Sequence, residues 1–120
     1  AEGTVPTSDN GFYGITGYYE DGTPLKDIDA VKFLGKRAKH VIAIGTCASF
    51  GGPYAASPNP SGSVPVHKVL KGIQVINVPG CPAHPDWFVG TLSHVILYGV
   101  PSLDAFGRPR MFYRHTIHDF

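Results

Sequence analysis

Two thiols and six imidazoles are the side chains of this 120-residue chain best suited to redox or metal chemistry. Cys47 lies in GTCASFGG and Cys81 in PGCPAHPDW, each surrounded by glycine, proline and small residues. Paired thiols can close a disulfide, hold zinc or bind an iron-sulfur cluster. Zinc is the weaker fit, because two distant cysteines without a CxxC pair lack the spacing of structural zinc motifs. A phosphate cradle is weaker still, since neither GxGxxG nor GxxxxGK[ST] occurs. On spacing alone, a disulfide or a pair of inert core thiols is the simplest reading. The local chemistry points another way. Gly45, Gly51 and Gly52 beside Cys47, and Pro79, Gly80 and Pro82 beside Cys81, leave backbone N–H groups free to approach sulfur, as iron-sulfur clusters require. A cubane takes four ligands, however, and this chain supplies two thiols, so spacing leaves the choice open.

The histidines form no HExxH or similar pair. His40 reads as an exposed helix end, His67 and His94 as helix-surface or packing positions, and His115 as plain surface. His84 precedes Pro85 and suits the start of a helix.

The elements that must position the thiols follow from periodicity. From Asp27 to His40, Ile28, Val31, Leu34 and Ala38 recur near helical spacing, with Asp27 and Asp29 at the start and Lys36, Arg37 and Lys39 at the end, complementing the helix dipole. VIAIGT, Val41 to Thr46, and IQVINVPG, Ile73 to Gly80, are short apolar β-branched runs stopped by glycine, as expected of buried parallel strands. Between them lie a Pro/Gly loop and a short helical candidate from Val66 to Lys71. A longer helix is expected from Pro85 to near Gly99. The stretch up to Thr23 reads as loop with a short hairpin, dependent on outside support for its order. This alternation defines an α/β domain with parallel strands and no internal repeat or linker. Right-handed crossovers gather the carboxyl ends of such strands on one edge, where open α/β sheets bind ligands. Cys47 and Cys81 each lie just past such an end.

Composition limits the function classes. The chain is 42% hydrophobic but only 16% charged, against roughly 25% for typical soluble proteins, and holds 15 glycines and 11 prolines. Such a surface is expected to be partly covered by another chain. A net charge of +1 without a basic run gives no nucleic-acid or anionic-membrane footprint. No apolar run reaches the roughly 20 residues of a membrane span, and no signal-peptide pattern opens the chain. It begins AEG and reads as part of something longer.

AEGTVPT (1–7), GTCASFGG (45–52), SPNPSG (57–62), PGCPAHPDWFVGTL (79–92) and GRPRMFYRHTIHD (107–119), in this order, closely resemble the small, electron-transferring subunit of nickel-iron hydrogenases. The resemblance implies a flavodoxin-like α/β segment, part of the N-terminal domain that binds the proximal [4Fe-4S] cluster, with 107–120 leading toward the distal-cluster region. It implies that Cys47 and Cys81 ligate the proximal cluster and that Glu2, Gly45, Thr46, Gly52 and Pro82 lie near it; for Glu2, a solvated terminal carboxylate is an equal alternative. His118, in IHD, matches a ligand of the distal [4Fe-4S] cluster. The nickel-iron centre would belong to a large partner subunit. Other implied partners are the remaining parts of the small subunit and a cytochrome or other redox protein, in a periplasmic or membrane-associated setting.

Departures from the pattern are equally specific. The family's N-terminal cysteine pair, its other distal- and medial-cluster cysteines and its twin-arginine signal do not occur in this sequence, so the polypeptide alone completes none of these clusters. Ala1 and Ala83 replace the usual valine and proline without touching a ligand. Oxygen-tolerant members carry an extra cysteine at the position of Gly52. Two rivals stay open: a related subunit of membrane-hydrogenase and quinone-reductase complexes, which should lack the IHD histidine, and a non-enzymatic binding domain with a structural disulfide.

Overall fold

The computed structural model describes residues 1–113, apart from the side chain of Tyr54. His115 and His118, and with them the expected approach to a distal cluster, lie outside the described residues. Two parallel strands form the centre: β3 (Val41–Ile44) and β4 (Val75–Val78) pair with Val41 opposite Val75 and Ile44 opposite Val78. On the free side of β3 the chain start runs parallel to it. Ile44 N donates to the Ala1 carbonyl at 2.8 Å, and Glu2 bridges to Ile44.

The connection between β3 and β4 is a crossover through short helices, α2 (Gly45–Phe50) and α3 (Val66–Val69), joined by a 3-10 turn over Gly52–Ala55. β1 (Ile15–Tyr18) and β2 (Pro24–Lys26) form a separate antiparallel hairpin that leads into α1 (Asp27–Arg37). α4 (Pro85–Tyr98) follows β4, and α5 (Arg110–Tyr113) comes last. The core is Val5, Ala43, Ala48, Val66, Leu70 and Val75, with Ile28 and Val31 of α1 packed on it. α1 comes close because Gly35 has no side chain: a Cβ there would stand 2.7 Å from the Leu70 methyls.

Three differences from the sequence reading have physical causes. The first helix stops at Arg37, where Ala38 turns extended, so His40 lies past its end and is half-buried. The strands are shorter than their apolar runs, and Gly45–Phe50 is helix where strand end and loop were expected. Gly45 (φ +89°) breaks the strand, and the small residues after it wind back over the sheet, where Ser49 Oγ donates to the Ala43 carbonyl at 3.2 Å. The opening segment draws its order from within the chain. Val5 and Val64 exchange backbone hydrogen bonds of 2.9 and 3.0 Å, and Thr7 and Ser8 donate to the Ser61 carbonyl. Asn59 braces that loop by accepting from Ser63 N and donating to the Ser63 carbonyl.

Candidate metal centre

β3 and β4 end side by side, and each delivers a cysteine three residues later. Cys47 falls in the first turn of α2 and is half-buried; Cys81 follows Pro79–Gly80 and is exposed. Both thiols are free. The two ends are fastened through Thr46, whose N–H donates to the Gly80 carbonyl and whose Oγ1 accepts from Gly80 N, both at 3.0 Å.

Both cysteines line one cavity of about 150 Å³, walled also by Gly45, Thr46 and Pro82 and rimmed by the exposed Glu2. The parallel pairing of Ala1 and Glu2 with β3 is what brings that carboxylate to the rim. Gly52 (φ +56°) lies directly behind the Cys47 sulfur, and a Cβ on it would come within 2.8 Å of Sγ. The absence of a side chain there leaves the sulfur its room. The structure thus brings Cys47, Cys81, Glu2, Gly45, Thr46 and Pro82 around one cavity, with Gly52 behind its thiol.

Two of the described histidines do other work. His84 caps α4, its Nδ1 accepting from Asp86 N at 3.2 Å, and His94 Nδ1 pairs with the Gly99 carbonyl at 2.9 Å. Among the described residues no group of three or more His, Cys, Asp or Glu side chains gathers at one point. Two soft sulfur donors opening on a cavity walled by small residues fit part of an iron-sulfur ligand set.

One neighbour of the site escaped the sequence reading. The Tyr113 hydroxyl donates to the Pro79 carbonyl at 2.8 Å, and burial pushes its pKa up to about 12 against a smaller opposing pull from Arg108. MFY at 111–113 shows only apolar and aromatic character, and nothing in the sequence pairs it with Pro79.

The chain belongs to the family described as NADH ubiquinone oxidoreductase, 20 Kd subunit, which it matches over residues 2–95. Within that family it is similar to small subunits of nickel-iron hydrogenases. It is 43% identical to the periplasmic [NiFe] hydrogenase small subunit of Solidesulfovibrio fructosivorans, over 98% of this chain and 35% of that protein. To the hydrogenase-2 small chain of Escherichia coli K12 it is 40% identical, over 98% and 30% respectively. The chain therefore spans about a third of the length of the curated relatives it matches. Among solved structures, the reduced, active Ni-Fe-Se hydrogenase of Desulfomicrobium baculatum superposes with a TM-score of 0.89 at 36% identity, over 98% of this chain and 47% of that one. The mixed α/β fold with a parallel strand pair flanked by helices is thus shared with hydrogenase structures.

Proposed function

We propose that this chain is the proximal-cluster part of an electron-transferring small subunit of a nickel-iron hydrogenase, with Cys47 and Cys81 as two thiolate ligands of one [4Fe-4S] cluster. The observation that carries this reading is the pair of free thiols lining one cavity at the carboxyl ends of two paired parallel strands. Such a cluster, when bound, accepts and releases electrons one at a time. The chain's own residues hold and tune it. Thr46 keeps the two strand ends in register, Gly52 leaves room for the Cys47 sulfur, and Glu2 places a negative charge at the rim that disfavours an added electron. The remaining two thiolates would come from other parts of the small subunit. The nickel-iron centre and the hydrogen chemistry would belong to a large subunit, and a cytochrome or other redox protein would exchange the electrons. His118 would serve the distal cluster. Relatives named as periplasmic support a periplasmic setting.

The family description names a quinone-reductase subunit, which keeps that second reading in view. The segment GRPRMFYRHTIHD lies entirely beyond the matched residues 2–95 and carries the hydrogenase-like histidine, so the first reading is favoured. Iron and acid-labile sulfide analysis of the assembled protein, with and without Cys47→Ala and Cys81→Ala, tests it. Each substitution should remove one cluster's worth of iron and sulfide, and an unchanged content would rule the assignment out.

A further inference from the structure

The Pro79–Gly80 pair leads from β4 to Cys81, and each of its polar backbone groups is held by a residue remote in sequence. Proline has no N–H, so the groups are three. Thr46 takes the Gly80 N–H and carbonyl, and the Tyr113 hydroxyl takes the Pro79 carbonyl. Tyr113 is itself tightly set. Its ring meets Trp87 edge-on at 5.0 Å, the Arg108 guanidinium lies 5.4 Å from its centroid, and Trp87 stacks on Phe112 at 6.1 Å and on His84 at 5.2 Å. Phe112 in turn rests against Gly90, where a Cβ would approach its ring to 2.6 Å. A hydroxyl whose pKa lies near 12 stays protonated, and so stays a donor, throughout the physiological range.

We propose that Tyr113 is a positioning residue of the metal centre: its hydroxyl fixes the Pro79 carbonyl and thereby the direction in which Cys81 presents its sulfur. This inference rests on reading Cys81 as a cluster ligand. The Pro79–Gly80 peptide is held at both ends, its N–H by Thr46 Oγ1 and its carbonyl by the Tyr113 hydroxyl, and the next peptide, which leads into Cys81, is held at its carbonyl by Thr46 N, so neither can rotate without breaking one of these contacts. α5 thereby becomes part of the site although it contributes no ligand.

The test is Tyr113→Phe in the assembled protein, which keeps the ring in its stack and removes only the donor. Amide exchange at Gly80, whose N–H is held by Thr46 Oγ1 in the same peptide, should rise roughly two- to tenfold, as expected for one lost hydrogen bond. In metal-depleted protein, alkylation of Cys81 should accelerate by a similar factor while that of Cys47 stays unchanged. With the cluster fully loaded, its EPR spectrum and midpoint potential should shift. Phe112→Leu, which loosens the stack but keeps the hydroxyl, should leave the Cys81 rate near that of the unsubstituted protein. Equal rates in Tyr113→Phe and the unsubstituted protein, or an equal acceleration in both variants, would overturn the proposal. A readout independent of any variant is the Tyr113 hydroxyl proton of the metal-depleted protein, which should exchange slowly; free exchange would contradict the contact. Lack of iron and sulfide in the unsubstituted protein would defeat the cluster reading, and the metal-centre role of Tyr113 with it, while the exchange and alkylation measurements would still decide whether Tyr113 fixes the Pro79–Gly80 pair.

Discussion

At the scale of single residues, Gly52 is the glycine whose missing Cβ faces a candidate ligand. It combines a left-handed backbone with a Cβ position only 2.8 Å from the Cys47 sulfur. Gly52→Ala should therefore strain the backbone by about 1 kcal/mol. It should also displace the thiol, lowering cluster content in the assembled protein, whereas Gly72→Ala, also at a left-handed backbone but with open space around its Cβ, leaves that content unchanged. Iron per protein measures the difference. The same glycine bears on oxygen. The resemblance puts a cysteine at this position in oxygen-tolerant members of the family and glycine offers no sulfur, so under the proposed function the assembled enzyme should stop oxidising hydrogen under air and recover only after reduction. Sustained turnover in oxygen would contradict that expectation. Glu2 acts from a distance through charge. Glu2→Gln should raise the midpoint potential of the cluster by tens of millivolts at most, and less at high salt because the carboxylate is exposed.

At the scale of elements, the chemistry depends on how two strand ends are fastened. Thr46→Val deletes the acceptor for Gly80 N and leaves that donor unpaired, which costs about 1–3 kcal/mol. Thr46→Ser keeps the acceptor and should be much milder, as denaturant midpoints of the assembled protein would show. A second fastening is sensitive to acid. Asp104 is raised in pKa by burial, but hydrogen bonds from the Arg108 and Phe106 N–H groups and the charge of Arg108 outweigh this and hold it below its ordinary value. A depressed folded pKa means that this contribution is present above the ordinary carboxylate range and is lost as pH falls through the folded value. The protection of the Phe106 and Arg108 amides, measured relative to the intrinsic exchange rate at each pH, should therefore fall on acidification, and Asp104→Asn should remove that pH dependence.

The strands, the first and fourth helices and the thiols at the strand ends were legible in the sequence, because β-branched runs bounded by glycine and a 3.6-residue spacing are local signals. α2 was not. GTCASF carries weak helical propensity, and its helix is held by contacts from elsewhere, the Ser49 hydroxyl on Ala43 and the Thr46–Gly80 bonds. Tyr113 was hidden for the same reason, since its partner is a backbone carbonyl on another strand end. The resemblance supplied the ligand roles; residue spacing alone favoured a disulfide or a pair of inert core thiols.

At the scale of the whole molecule, too much surface is exposed for a self-sufficient domain. The accessible area is 7746 Å², whereas a compact protein of 12.9 kDa exposes roughly 6,300 Å². The radius of gyration of 15.2 Å exceeds the roughly 14 Å expected for this length. Uncovered apolar groups lie along α4, where Ile96, Leu97 and Tyr98 are 72%, 69% and 79% exposed, and Tyr13 and Phe50 are also open. Trp87 and Phe112 are half-buried in their mutual stack. The low charge content has a physical reading in these faces, which other chains would cover. Expressed alone, the chain should be poorly soluble or incompletely folded, and should be recovered in soluble form together with the large subunit and the rest of the small subunit. Size-exclusion chromatography of the two preparations distinguishes this from a freely soluble, cooperatively folding monomer.

If Cys47 and Cys81 hold one iron-sulfur cluster together, the EPR spectrum of the reduced assembled protein, alongside its iron and acid-labile sulfide content, will show it. In the unsubstituted protein a reduced [4Fe-4S] signal should be present, and Cys47→Ala and Cys81→Ala should each abolish the same signal with loss of the same amount of iron and sulfide. An S–S bond of about 2.05 Å between the two sulfurs, or a signal and metal content that survive both substitutions, would contradict the account.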